Sequence, residues 1–114
     1  MTIEVENQDG SDPVILTIKG DFWGGNEWAV HEKIKELIDE EKTRVVLDLS
    51  RVKRVNSTGI GALVASLTTL RNAGGDLKLA GANRNISDHL GLLNLYTVLE
   101  QFETPEQAVE SFTT

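Results

Sequence analysis

Val45-Val46-Leu47-Asp48-Leu49 is an apolar run broken once, by Asp48. A strand of this kind has almost no polar face to give to water. Both faces must be covered, as happens in a parallel sheet flanked by helices. The next residues supply a cover. Ile60, Leu63, Val64, Leu67 and Leu70 recur at helical spacing and form one apolar stripe. Gly74-Gly75 then closes that helix, because glycine adopts the left-handed conformation at a helix C-terminus at little cost. The short connection 50–55 joins the two. Residues 45–75 therefore read as a strand–helix unit of an α/β sheet.

The flanking segments extend the pattern. Ile3 and Val5 alternate with polar neighbours and suggest a short strand. The stretch Asn7-Gln8-Asp9-Gly10-Ser11-Asp12-Pro13 reads as a turn within a domain, not a linker between two. It leads into a β-branched strand, Val14-Ile15-Leu16-Thr17-Ile18, antiparallel to the first and ended by Gly20. Val30, Ile34, Leu37 and Ile38 share one helical face, with Glu32, Lys33, Lys35 and Glu36 elsewhere. Residues 76–80 suit another strand, with Leu77 and Leu79 on one face. Residues 86–93 suit a short helix and 98–102 a last strand. Thr104-Pro105-Glu106-Gln107 is a well-formed helix start, and Ala108, Val109 and Phe112 form the inner face behind it. The expectation is one α/β domain over residues 1–114. It has a mixed sheet of four to five strands and about four helices. Crossovers through helices make the later strands parallel.

Charge and composition narrow the function classes. The net charge of −7 disfavours general binding to nucleic acid or anionic membranes. With no cysteine, disulfides and thiolate metal sites are excluded, and two histidines far apart, His31 and His89, speak against zinc. Aromatic residues are only 5% of the chain, so stacking platforms for bases or sugars are scarce. No apolar segment approaches the roughly 20 residues of a membrane span. The acidic start lacks the features of a signal peptide, so a cytoplasmic location is the expectation.

The informative stretch is Asn56-Ser57-Thr58-Gly59-Ile60-Gly61, which opens the second helix. In open α/β sheets functional groups gather beyond the carboxyl ends of parallel strands. Two readings fit. Asn56 or Ser57 is a helix N-cap, the commonest use of such residues. Alternatively, Ser57 presents a hydroxyl that can receive a phosphate. The unpaired amides and partial positive charge of a helix N-terminus would hold that group. Gly59 and Gly61 leave the first turn bare, so another backbone or a side chain can approach closely. Arg51, Lys53 and Arg54 lie just upstream, either as solvated loop charges or as steering for an anionic partner.

Residues 45–75, VVLDLSRVKRVNSTGIGALVASLTTLRNAGG, strongly resemble the STAS domain and, more narrowly, the bacterial anti-sigma factor antagonists. The family signature is an apolar strand, a short loop, and Asp-Ser-Ser/Thr-Gly-aliphatic-Gly opening a helix that ends in Gly-Gly. The resemblance extends to Gly20-Asp21 after the second strand and to Leu77-Lys78-Leu79-Ala80. It implies that Ser57 is phosphorylated, with Thr58 the weaker candidate. It also implies a partner-binding surface formed by Asp21, Trp23, Gly24, Gly25, Asn56, Ser57, Thr58, Gly59 and Ile60. The implied partners are an anti-sigma factor that is a serine kinase and a metal-dependent serine phosphatase. The unmodified antagonist binds the kinase and frees the sigma factor. The implied protein is a monomer with no catalysis and no cofactor of its own; ATP and metal belong to its partners.

Two departures stand out. Asn56 replaces the usual Asp, which keeps a cap but removes a negative charge beside Ser57. After Gly20-Asp21 the chain reads Phe22-Trp23-Gly24-Gly25-Asn26-Glu27-Trp28, with Trp23 where the family often has Asp. Trp23 is either an interaction hot spot or a lid over a core that holds Phe22 and Trp28. Single STAS domains also serve as fixed adaptor subunits in lipid-transport ATPases and stress-signalling assemblies, which is the alternative function. An enzyme using Ser57 would need a positioned base. His31 lies in a charged helical stretch and His89 has the spacing of a surface helix, so the sequence does not point to an enzyme.

Overall fold

The structure is a computed structural model and describes residues 1–6 and 13–113. The proposed turn over 7–12 lies outside the described residues. Five strands and four helices follow in the order β1 (Thr2–Glu6), β2 (Val14–Lys19), α1 (Ala29–Asp39), β3 (Arg44–Arg51), α2 (Ser57–Asn72), β4 (Asp76–Ala80), α3 (Arg84–Leu92), β5 (Gln101–Phe102), α4 (Pro105–Ser111). The sheet order is β1-β2-β3-β4-β5. Among the described residues only β1 and β2 pair antiparallel; β2, β3, β4 and β5 are mutually parallel.

The central strand explains its own sequence. Val45, Leu47 and Leu49 pack with Val30, Ile34 and Leu37 of α1, with Ile60, Leu63, Leu67 and Leu70 of α2, and with Ile86 and Leu90 of α3. Val46 faces the other way, against Ala80 and Ala108, with Phe102, Val109 and Phe112 packed around them. Thus α1, α2 and α3 cover one face and α4 covers part of the other. Lys78 also points to the α4 side. It is buried, with its ammonium 4.3 Å from the Phe112 ring centre and donating to Ser111 Oγ at 2.7 Å. Aromatic faces and a hydroxyl replace water around that charge.

Caps fall where the sequence placed them, with refinements. Thr104 Oγ1 accepts from the Gln107 amide, and Gln107 Oε1 accepts from the Glu103 amide. Gly74 has φ +88° and ends α2, with the Gly75 amide donating to the Leu70 carbonyl. Helix α3 starts at Arg84, two residues before the expected boundary, because Asn83 Oδ1 caps the Ile86 amide. The last strand is shorter than 98–102. The Val98 and Leu99 amides both donate to the Leu95 carbonyl, so that segment is a turn and only Gln101–Phe102 reach the β4 ladder.

Candidate functional site

Two loops meet at the carboxyl ends of β2 and β3. Beyond the regular ladder, the Gly20 amide donates to the Arg51 carbonyl, and the Phe22 amide to the Arg54 carbonyl at 3.2 Å. A bridge between Phe22 and Val55 carries the parallel pairing to the start of α2. The Asp21 carboxylate locks this junction. Its Oδ1 accepts from the Lys53 amide at 3.0 Å and the Arg54 amide at 3.1 Å, and its Oδ2 lies 3.5 Å from Arg54 Nε. The Arg54 amide foremost holds this carboxyl below its ordinary value. Partial burial opposes that, while the Lys53 amide and the Arg54 guanidinium add to the lowering. Asp21 is therefore the tie that holds one loop to the other.

The loop after Asp21 is tied to itself. The Trp23 amide donates to Asn26 Oδ1, Asn26 Nδ2 donates to the Asp21 carbonyl, and the Gly25 amide donates to Glu27 Oε1 at 2.7 Å. Gly24 and Gly25 have φ of +73° and +102°, the left-handed region that side chains disfavour. They shape the turn, and a Cβ on either would meet open space. The result is a presented tryptophan. Trp23 is 56% exposed, and the Arg54 guanidinium sits 5.4 Å from its ring centre. Trp28, read as a core candidate, is half-exposed instead and packs edge-on against His31; Phe22 alone of that set is fully buried.

At the head of α2 the cap is Asn56. Its Oδ1 accepts from the Gly59 amide at 2.7 Å. Ser57 and Thr58 are the first two helical residues, and both are exposed. Among the described residues the Ser57 hydroxyl has no hydrogen-bond partner. The amides of Ser57 and Thr58 belong to the first turn, which the helix itself cannot satisfy. Gly59 and Ile60 turn inward. Ile60 is 2% exposed, and a Cβ on Gly59 would lie 2.6 Å from Val55 Cγ2 and 2.9 Å from Phe22 Cβ. The close approach that Gly59 permits is to the protein's own loops, so neither residue offers a side chain to a partner. Gly61 is exposed and faces open space.

Ser57 opens on a cleft of about 360 Å³ whose walls come from three elements: Trp23; Arg54, Val55 and Asn56; and Asn85 and His89 of α3. Sequence spacing singled out neither Asn85 nor Val55; it read Arg54 as a solvated loop charge or a steering charge for an anionic partner, and His89 as a surface-helix group. What brings α3 to the rim is Asn83, whose Nδ2 donates to the Lys53 carbonyl at 2.9 Å and to the Val52 carbonyl at 3.3 Å. An asparagine before a predicted helix signals a cap, but nothing local signals that its second group spans to another loop. His89 Nδ1 is held 2.9 Å from the Asn85 carbonyl oxygen. His31 lies away from this cleft, with Nε2 3.1 Å from Thr69 Oγ1. Among the described residues no cluster of histidine or acidic groups could hold a metal, and no helix is long and apolar enough to cross a membrane.

Comparison with known proteins identifies the fold and the family. A protein of Thermotoga maritima described as a candidate anti-sigma factor antagonist is 27% identical over 75 residues, covering 66% of this chain and 66% of that relative. The crystal structure of an anti-sigma factor antagonist from Mycobacterium paratuberculosis superposes with a TM-score of 0.84 at 20% identity, covering 99% of this chain and 94% of that one. The antagonist SpoIIAA in its unphosphorylated form gives a TM-score of 0.81 at 16% identity, covering 98% and 96%. At these identities the structures speak for the fold. The family model of the STAS domain matches residues 2–108, and the chain belongs to that family.

Proposed function

We propose that this protein is an anti-sigma factor antagonist that works by partner switching. Unmodified, it binds an anti-sigma factor that is a serine kinase, and so releases a sigma factor. Phosphorylation of Ser57 ends that binding, and a metal-dependent serine phosphatase restores it. The observation that carries the reading is the division of labour at the head of α2. Asn56 is the cap, so the exposed Ser57 hydroxyl is free for a kinase. A phosphate there adds about −1.5 to −2 charges to a surface fitted to a bare hydroxyl. The names of the relatives point the same way. Trp23 and the Gly24–Gly25 turn stand on the same rim and would give the partner an aromatic anchor.

The direct test is incubation with a serine-kinase anti-sigma factor, ATP and magnesium, followed by peptide mass spectrometry. One phosphate on Ser57, absent from Ser57→Ala, is the expected result. Phosphate on Thr58 instead, or on neither, would overturn the assignment. The fixed-adaptor alternative draws on Asn56, which departs from the acidic residue usual before the modified serine. It predicts binding that is indifferent to charge at Ser57.

A further inference from the structure

We propose that the cleft beside Ser57 is a phosphomonoester cradle. Arg54 and His89 of this same chain would receive the phosphoryl group once it is on Ser57. The inference rests on the phosphorylation reading above and adds what the modified state does within the protein.

The cleft brings two cationic or cationisable side chains to one serine from separate elements, Arg54 from the β3–α2 loop and His89 from the last turn of α3. Each is already oriented. Arg54 is fixed through its Nε by Asp21 and through its face by Trp23, which leaves the two terminal nitrogens of the fork for an oxyanion. His89 has Nδ1 against the Asn85 carbonyl, so Nδ1 donates there and Nε2 is the nitrogen left for another partner. The first-turn amides of Ser57 and Thr58 add donors. The neutral Asn56 puts no carboxylate beside the phosphate. No acidic side chain lines the cleft among the described residues; Asp21, which holds Arg54, and Asp88, next to His89 in sequence, are each engaged by an arginine, Arg54 at 3.5 Å and Arg84 at 3.8 Å.

The chemistry predicts two consequences. Bound cations favour the phosphate dianion, so the second ionisation of phosphoserine falls below its ordinary value of about 6. The dianion in turn is matched by Nε2 of His89, the ring nitrogen left to donate to it. The phosphate is then turned toward α3 and not fully into solvent. A phosphatase must draw it out of Arg54 and His89, which links the resetting step to those two residues.

The test uses the full chain with phosphoserine incorporated at position 57 during translation, so that no kinase is needed. Phosphorus NMR follows the second ionisation in the folded protein and in the same protein in urea. The expected result is a pKa lower in the folded state by about half a unit or more, with part of that shift lost in His89→Gln and part in Arg54→Lys. Nitrogen NMR of His89 should show its Nε2 signal shifted on phosphorylation, as a hydrogen bond to the phosphate requires. The same folded and urea pKa values, or a folded shift unchanged by both variants, would overturn the cradle; in the second case the helix amides alone hold the phosphate. His89→Gln changes a side chain on the surface of α3, so a variant that folds is available whatever Arg54→Lys does to the loop. Failure here leaves the switch itself intact, since loss of partner binding on phosphorylation is read separately.

Discussion

Replacing Gly59 by alanine tests whether the rim is held by packing between its own loops. In a helix, alanine normally outranks glycine by about 1 kcal/mol, so helix propensity alone predicts stabilisation. The structure predicts the reverse. The added Cβ would fall 2.6 Å from Val55 Cγ2 and 2.9 Å from Phe22 Cβ, and both neighbours are buried at 3% and 0% exposure. Neither atom is the far end of a flexible side chain. The two loops joined by the Phe22–Val55 bridge must therefore part. Overpacking of this kind costs about 1–3 kcal/mol, and the propensity gain offsets some of it. The net loss should reach about 2 kcal/mol at most, a fall in Tm of up to about 8 °C, and Gly59→Ala should in any case fall well below Gly61→Ala. Gly61→Ala is the internal control, because its Cβ meets nothing within 4 Å; it should gain about 0.5–1 kcal/mol. Urea unfolding followed by far-UV circular dichroism reads both. If Gly59→Ala is as stable as Gly61→Ala, the packing argument for the rim fails.

Asn56→Ala should lose about 1 kcal/mol through the missing cap, whereas Asn56→Asp should keep the cap and gain about 0.3–1 kcal/mol from a carboxylate at the helix N-terminus; urea unfolding distinguishes them. Asp21 has a lowered folded pKa, so its contribution is fully present above the ordinary value of 3.8 and is lost as pH falls through the lower folded value. Asp21→Asn should therefore be less stable than wild type at neutral pH, with the gap closing in acid; a gap independent of pH would contradict the tie drawn between the two loops. Trp23→Ala should change stability by no more than about 0.5 kcal/mol, since the ring is largely exposed, but should weaken kinase binding by at least about fivefold, measured by calorimetry.

Much of the fold was legible in the sequence because its signals are periodic. The apolar run at 45–49 announced a strand covered twice, and the structure sends Val45, Leu47 and Leu49 one way and Val46 the other. The stripe from Ile60 to Leu70 and the Gly74 stop are local rules obeyed locally. Boundaries failed where hydrogen bonds are not periodic. Residues 98 and 99 look like strand but spend their amides on the Leu95 carbonyl. Trp28 looked like core because it is large and apolar, yet its place one residue before α1 turns it to the edge. The site was half legible. Ser57 and Trp23 drew notice through residue type and position, and the structure sets them on one cleft. Asn85 drew none, Arg54 was noticed as a loop charge or a steering charge and His89 as a surface-helix group, and neither was joined to Ser57, because what gathers them is long-range: Asp21 reaching Lys53 and Arg54, and Asn83 reaching Val52 and Lys53. Both are side chain to backbone contacts more than two dozen residues apart, and no pattern along the chain encodes them.

The most direct measurement of the central claim is a comparison of three baits, wild type, Ser57→Ala and Ser57→Asp, for binding to a serine-kinase anti-sigma factor captured from the source lysate and then purified. A charge switch predicts that wild type and Ser57→Ala bind alike and that Ser57→Asp binds at least about tenfold more weakly, a difference of about 1.4 kcal/mol. Equal binding by all three would contradict it and leave the domain a fixed adaptor.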